Sequence, residues 1–358
     1  MKGKKIINSP DDLIPEILEG MVLASHGKLK LVEGASTLVR TDMPDDKVAL
    51  LIGGGSGHEP MYTAYVGEGW ADGSVAGNIF AAPTPDQILE ATKAVDRGKG
   101  VLYVYGNYAG DNMNFDIAAE LAEAEGIKTR TVRVMDDVAV AKPEDRRGIG
   151  GAFYQVKIAA DICRTAASLD EAANAVERAR EGLRSIGVAF RAGSLPETGE
   201  PTFELPDDEI EIGMGAHGER GVERRGMMSA EDLAAEMTRL VVEDLPYRAG
   251  DRVAMLLNNL GATTMMELLI VNRTVRRKLD EAGIIVERTD IGPFLTCQEM
   301  AGFSLSLQRL DDAIAAHLDA PCEAFCYSQA ARDELRHRGG PRAPDRRGGC
   351  RRRLPRTG

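Results

Sequence analysis

Long apolar runs are missing from this 358-residue sequence. No stretch approaches the roughly 18 consecutive apolar residues of a membrane-spanning helix, so a transmembrane segment is not expected. The opening Met1-Lys2-Gly3-Lys4-Lys5-Ile6 is not followed by an apolar core of signal-peptide length. Cysteine is scarce: Cys163, Cys297, Cys322, Cys326 and Cys350 are odd in number and include no Cys-x-x-Cys pair. Free thiols in a reducing cytoplasm are the expectation. Histidine is as rare, at His26, His58, His217, His317 and His337. No Cys/His/Asp spacing suggests a metal site, since the adjacent His58 and Glu59 cannot share a helical face. Positive charge is short in the body: residues 1–326 carry 34 Lys and Arg against 53 Asp and Glu. That excludes a nucleic-acid platform, which needs clustered basic groups to neutralise phosphates. Residues 327–358 reverse the sign, with 10 Arg and 3 acids, so the net charge of −12 describes neither part.

Apolar residues make up 43% of the chain and glycine contributes 39 positions. At roughly 100–200 residues per domain, the body suggests two domains with real cores. Apolar periodicity predicts helices over 11–23, 86–95, 115–125, 150–167, 169–183, 230–242 and 266–282, with Ser168 capping the fifth. Short apolar runs predict strands over 47–52, 100–105, 129–135, 187–192, 202–205, 209–214, 251–257, 284–290 and 302–308. The N-terminal alternation of strand and helix implies β-α-β units on a largely parallel sheet. The pattern changes near residue 185, where a domain boundary is expected.

In open α/β sheets ligands sit beyond the carboxyl ends of strands. Three strand-end loops here carry reactive groups. Gly53-Gly-Gly-Ser-Gly-His-Glu-Pro60 is a broken dinucleotide fingerprint, because its third glycine is misplaced and Pro60 stands where a helix should start. It is not a phosphate loop, since no Gly-Lys-Ser/Thr follows. It reads either as a structural turn with an incidental His58, or as a ligand loop whose backbone N–H groups reach small polar oxygens beside an imidazole. Asp111 ends Gly106-Asn-Tyr-Ala-Gly-Asp and is either a cap or a general base. His217, in Gly215-Ala-His-Gly-Glu219, is either a satisfied turn histidine or a nucleophile able to add to a carbonyl.

These motifs, with Met135-Asp-Asp-Val-Ala-Val140, Arg146-Arg-Gly148 and Asn258-Asn-Leu-Gly-Ala262, resemble the substrate-binding (K) subunit of dihydroxyacetone kinase over about residues 5–322. The resemblance implies an α/β fold of two domains, each a mostly parallel or mixed sheet flanked by helices. The expected division is 1–184, 185–325 and an Arg-rich tail 326–358. It implies a phosphotransferase that acts on an alcohol group of a short ketose. His217 would bind the ketose covalently as a hemiaminal, while His58 and Asp111 would do acid–base work on the hydroxyl that is phosphorylated. Gly55, Ser56 and Gly57 would contact the substrate. A covalent bond to the carbonyl makes a ketone obligatory and separates ketoses from polyols by chemistry rather than by pocket shape. A non-catalytic ketose-binding regulator is the alternative.

One departure bears on specificity. Well-known members place a lysine before the Asn-Tyr pair, where this chain has Gly106. The missing side chain is expected to leave room and to remove a donor, which points to a larger ketose such as a four-carbon erythrulose, with dihydroxyacetone as the other candidate. Phosphoryl transfer needs a nucleotide with Mg²⁺. The resemblance assigns ATP, or ADP rephosphorylated by a phosphotransferase relay, to a separate all-helical L subunit, with no cofactor on this chain. A homodimer, a cytoplasmic location, and no nucleic-acid or membrane partner are likewise implied. The tail reads as an anionic-partner arm, a disordered terminus, or a C-terminus that is not the ancestral one; the last is preferred.

Overall fold

The computed structural model describes residues 3–330. Its N-terminal strands are β1 (Leu29–Leu31), β2 (Thr37–Arg40), β3 (Ala49–Ser56), β4 (Gly67–Glu68), β5 (Gly73–Ile79), β6 (Val101–Gly106) and β7 (Thr129–Val134). The helices among and after them are α1 (Leu13–Ala24), α2 (Pro85–Val95), α3 (Ala109–Ala124), α4 (Ala152–Thr165) and α5 (Leu169–Glu181). The first sheet runs β1-β2-β5-β3-β6-β7. Its core β5-β3-β6-β7 is parallel, and β1 and β2 add an antiparallel edge.

Residues alternate across this sheet, as the two-residue period of a strand requires. Ala49, Leu51, Tyr103 and Tyr105 face Ile88, Ala91 and Val95 of α2 and Phe115 of α3. Leu50, Ile52, Leu102 and Val104 face α4 and α5. Both faces are covered, so the strands read as continuous apolar runs.

The second half contributes β8 (Leu183–Arg191), β9 (Glu209–Ile212), β10 (Glu223–Gly226), β11 (Arg252–Asn259), β12 (Ile285–Gly292), β13 (Ala301–Leu310), β14 (Cys322–Ala324) and β15 (Ser328–Gln329), with α6 (Ala230–Asp244), α7 (Met265–Glu281) and α8 (Asp312–Asp319). Its sheet, β10-β9-β8-β13-β11-β12, is antiparallel except for the β11–β12 pair. Val253, Met255 and Leu257 pack beneath α6 and α7, while Ala254 and Leu256 face α4. The helix α4 is buried at every position from Ala152 to Cys163. It fills the space between the two sheets, burying even Gln155, Lys157 and Asp161, with the Lys157 ammonium 2.8 Å from the Ala320 carbonyl and the Tyr154 hydroxyl 2.8 Å from the Met255 carbonyl.

Several boundaries differ from the sequence reading. Helix α3 starts at Ala109, six residues before the apolar periodicity begins, because its first turn caps the end of β6 rather than covering the sheet. Strand β3 continues through Gly53 and Gly55. A Cβ there would stand 2.6 Å from Val75 Cγ1 or 2.8 Å from the Ala81 amide, so glycine is what lets neighbouring chain press this close. The strand expected over 202–205 is absent; only a bridge between Ser194 and Pro201 forms nearby. The expected division at 184/185 falls inside β8. Of the expected tail, residues 326–330 pack on the body: β15 pairs with β14, and the Tyr327 ring meets Trp70 and Phe153. Five residues are too few for the charge pattern to reveal that packing. The remainder, 331–358, lies outside the described residues. No helix among the described residues is long and apolar enough to cross a membrane.

Asp72 is fully buried and gathers the Lys47 ammonium at 2.7 and 2.8 Å, the Leu50 amide at 2.9 Å and Arg40 at 3.6 Å. Removing one member of a buried pair leaves an uncompensated charge. Asp72→Ala is expected to lower stability by about 3–5 kcal/mol, read as a shifted urea midpoint at constant m; a loss below about 1 kcal/mol would show that water screens the site.

Candidate active site

The exits of β3, β6 and β9 converge on one narrow cleft lined by Gly54, Gly55, His58, Tyr62, Tyr108, Asp111, Gly148, Ala216, His217 and Leu295. The three reactive residues singled out in the sequence therefore meet. They come from separate loops: His58 follows β3, Asp111 stands in the first turn of α3, and His217 follows β9. Ser56 and Gly57 do not line the cleft, contrary to expectation. The Ser56 hydroxyl is committed to the Gly77 carbonyl at 2.8 Å, because β3 is still paired with β5 there. The Gly57 amide turns back to the Glu59 carboxylate at 3.0 Å. Gly54 takes their place.

The β3 exit loop is held by the other half of the chain. Thr296 and Gln298 donate backbone N–H bonds to the carbonyls of His58 (3.1 Å) and Gly57 (3.0 Å), and the Thr296 hydroxyl donates to the Glu59 carbonyl (2.9 Å). The Thr296 carbonyl in turn lies 2.8 Å from His58 Nδ1. Nothing local in the sequence around His58 signals this partner, which lies more than 230 positions away.

Hydrogen-bond polarity assigns the protons. His58 Nδ1 faces a carbonyl oxygen, and His217 Nδ1 faces the Glu219 carboxylate at 2.9 Å. Both are acceptors, so both Nδ1 atoms carry hydrogen. The two Nε2 atoms are 3.0 Å apart. Two bare lone pairs do not face each other at that distance, so one further proton lies between them. Burial and then the charge on His217 push His58 down to about 3, so His58 Nε2 is the acceptor in this contact. Glu219 holds the other side of the His217 ring. Burial opposes the charge on Glu219, but the His217 ring and amide bonds outweigh it and hold the carboxyl at about 2. Glu219 was visible in the sequence only as a neighbour of His217, and its role as the anchor of the ring was missed.

Asp111 is buried, and its Oδ1 has no hydrogen-bond partner among the described residues. Burial raises its carboxyl to about 6, partly offset by the charge on His217. An orphaned buried carboxylate in a cleft is a candidate base with a stated physical cause. Aromatic rings wall the remainder: Phe80 packs on both histidines at 5.0 and 5.5 Å between centroids, and Tyr108 meets His217 edge-on at 4.7 Å. The room expected at Gly106 is absent. A Cβ there would meet the Tyr108 ring at 3.0 Å and the Tyr62 hydroxyl at 3.2 Å, and Tyr62 already accepts the Gly106 amide at 3.1 Å. Two aromatic side chains from elsewhere occupy the space. No group of three or more His, Cys, Asp or Glu side chains among the described residues is arranged to hold a metal.

Comparison with known proteins gives this geometry a context. The chain is 41% identical over 312 residues to the dihydroxyacetone-binding subunit DhaK of PTS-dependent dihydroxyacetone kinase 1 from Listeria innocua, covering 86% of this chain and 95% of that one. It is 37% identical over 334 residues to L-erythrulose 1-kinase of Mycolicibacterium smegmatis, covering 91% of this chain and 58% of the relative. Among solved structures, the dihydroxyacetone kinase operon co-activator Dha-DhaQ superposes with a TM-score of 0.83 at 29% identity, over 88% of this chain and 98% of that one. Residues 19–326 match the Dak1 domain. This chain therefore belongs to the Dak1 domain family.

Proposed function

We propose that this chain is the ketose-binding subunit of a dihydroxyacetone-type kinase. It holds a three- or four-carbon ketose covalently and presents a terminal hydroxyl to a phosphoryl donor on a partner subunit. The observation that carries this reading is the pairing of His217, anchored through Nδ1 on Glu219, with an Asp111 carboxylate whose Oδ1 has no partner among the described residues, in one cleft.

A chemical sequence follows from the assigned protons. The proton between the two Nε2 atoms passes to His58, freeing the His217 lone pair. That pair adds to the ketone carbon, and the π electrons of the carbonyl move to its oxygen. The oxygen then takes the proton from His58 and becomes the hemiaminal hydroxyl. The substituted ring stays positive, with its Nδ1–H on the Glu219 carboxylate. Charge and protons balance without solvent. The bond fixes the substrate beside Asp111, an orientation effect worth several kcal/mol. Asp111, in its ionised form, accepts the proton of the terminal hydroxyl as that oxygen attacks phosphorus. A nucleotide with Mg²⁺ on the partner supplies the phosphoryl group.

A separate nucleotide-carrying L subunit is supported by the near-complete coverage of a relative named as a binding subunit, whereas the erythrulose kinase extends well beyond the matched region. The PTS-dependent name of that relative favours a phosphotransferase relay as the ultimate donor. A homodimer and a cytoplasmic location complete the reading. The likeness to an operon co-activator keeps a regulatory role as the second reading. A buried Asp111 whose Oδ1 is unpartnered among the described residues argues for the kinase, because sensing a ketose through His217 needs no base beside the hydroxyl.

With dihydroxyacetone labelled at the carbonyl carbon, carbon NMR is expected to show an sp³ adduct signal that His217→Ala abolishes. Asp111→Asn should keep the adduct and lower kcat by about 10²–10⁴ in the presence of the partner and donor; an unchanged kcat sinks the base assignment. Since the carboxyl of Asp111 is raised, it is protonated and inactive below about pH 6, so wild-type kcat should fall as pH drops through that value. Comparing kcat/KM for dihydroxyacetone and both erythrulose enantiomers decides the chain length of the substrate, and equal adduct formation without turnover would favour the regulatory role.

A further inference from the structure

The motifs Met135-Asp-Asp and Arg146-Arg-Gly148 have no part in the chemistry above, yet the structure gathers them behind the covalent histidine. Arg147 is largely buried. Its Nε lies 2.8 Å from Asp137 Oδ2, and Nη2 lies 2.6 Å from the same oxygen and 2.8 Å from the Gly213 carbonyl. Asp137 is fully buried and also accepts the Ala139 amide at 2.9 Å. The third nitrogen, Nη1, lies on the Gly215 side, and the Glu219 carboxylate is near enough to act on the guanidinium through its charge. A Cβ on Gly215 would stand 2.7 Å from Nη1 and 2.2 Å from Glu219 Oε2, so guanidinium and carboxylate share the corner that only glycine leaves open. One side chain thus links the exit of β7, the exit of β9 and the carboxylate that holds His217.

We propose that Arg147 is a positioning residue for the covalent histidine: it clamps the loop from Gly213 to Glu219 and tempers the charge of the Glu219 carboxylate. Arginine suits this task because its planar fork meets two acceptors, Asp137 and the Gly213 carbonyl, at fixed angles, which a lysine ammonium on a flexible stem does not. The inference rests on the reading of His217 as the nucleophile. Asp137 balances the guanidinium from behind, so the burial of Arg147 is not an isolated charge. His217 is faced by Glu219 from its own loop, by His58 from the β3 exit, and by Tyr108 and Asp111 from the β6 exit.

The sign of the electrostatic effect separates this role from a merely structural one. A more negative surrounding keeps the shared proton on the histidines to higher pH, and the adduct carries that same positive charge. Arg147→Met removes a positive charge behind Glu219. Glu219→Gln removes the negative charge itself. Adduct formation from carbonyl-labelled dihydroxyacetone, followed by carbon NMR against pH, should therefore lose its signal at higher pH in Arg147→Met and at lower pH in Glu219→Gln, each by about one unit. Arg147→Lys, which keeps the charge but not the fork, should leave the alkaline limb in place and weaken adduct affinity about tenfold. Unmoved limbs, or limbs moved in the same direction by Arg147→Met and Glu219→Gln, overturn the proposal. If Arg147→Met does not fold, wild-type affinity in Arg147→Lys overturns the clamp on its own. Absence of any adduct in the wild-type chain would instead sink the reading of His217, leaving the two failures distinguishable.

Discussion

Three backbone carbonyls at the exit of β3, those of Gly57, His58 and Glu59, are hydrogen-bonded by Thr296 and Gln298 from the far half of the chain. The rest of the site depends on this seam. A glycine-rich loop on its own has too much conformational freedom to hold an imidazole in one place. Ordering it costs backbone entropy, and the loop between β12 and β13 offsets that cost with paired donors and acceptors. The same loop supplies the carbonyl that sets the tautomer of His58. Through His58, that choice fixes where the extra proton sits, and so which histidine is poised to become the nucleophile.

Packing makes the seam possible. The helix α4 fills the gap between the sheets and is buried at every position from Ala152 to Cys163, so the two halves share one apolar cluster rather than meeting across a wet hinge. Asp136 extends this order toward the cleft: its carboxylate accepts the Ile149 and Gly151 amides at 2.8 and 2.9 Å and so pins the chain as it enters α4. The neighbouring Asp137 takes Arg147. Two consecutive acids therefore serve two purposes, because adjacent residues leaving a strand point to opposite sides.

Electrostatics within the cleft divide along burial. Loss of water moves both His58 and Asp111 toward their neutral forms, the imidazole down to about 3 and the carboxyl up to about 6, so Asp111 still ionises near neutral pH. Glu219 resists the same pressure only because two N–H groups of His217 are aimed at it. A carboxylate held ionised beside one imidazole, and a second carboxyl raised to about 6 nearby, is the separation of acid and base roles that proton-transfer chemistry near neutral pH requires.

Much of this was legible in the sequence. Apolar runs such as Leu50–Ile52 and Leu102–Val104 marked central strands because both faces of a parallel sheet are covered, and Gly loops with His58, Asp111 and His217 marked the strand ends where ligands bind. Elements with weak patterns escaped: the edge strands β1 and β10 are short and largely exposed, and the first turn of α3 carries glycine and polar residues where periodicity has nothing to register. Residue type and local spacing thus determined the chemistry this protein has available and the loops that carry it. Only the tertiary structure decided how that chemistry is used. The tautomer of His58, the approach of Tyr62 to Gly106, and the placing of Arg147 behind Glu219 all depend on contacts between segments distant in the chain, and such contacts leave no period or spacing in the sequence to read.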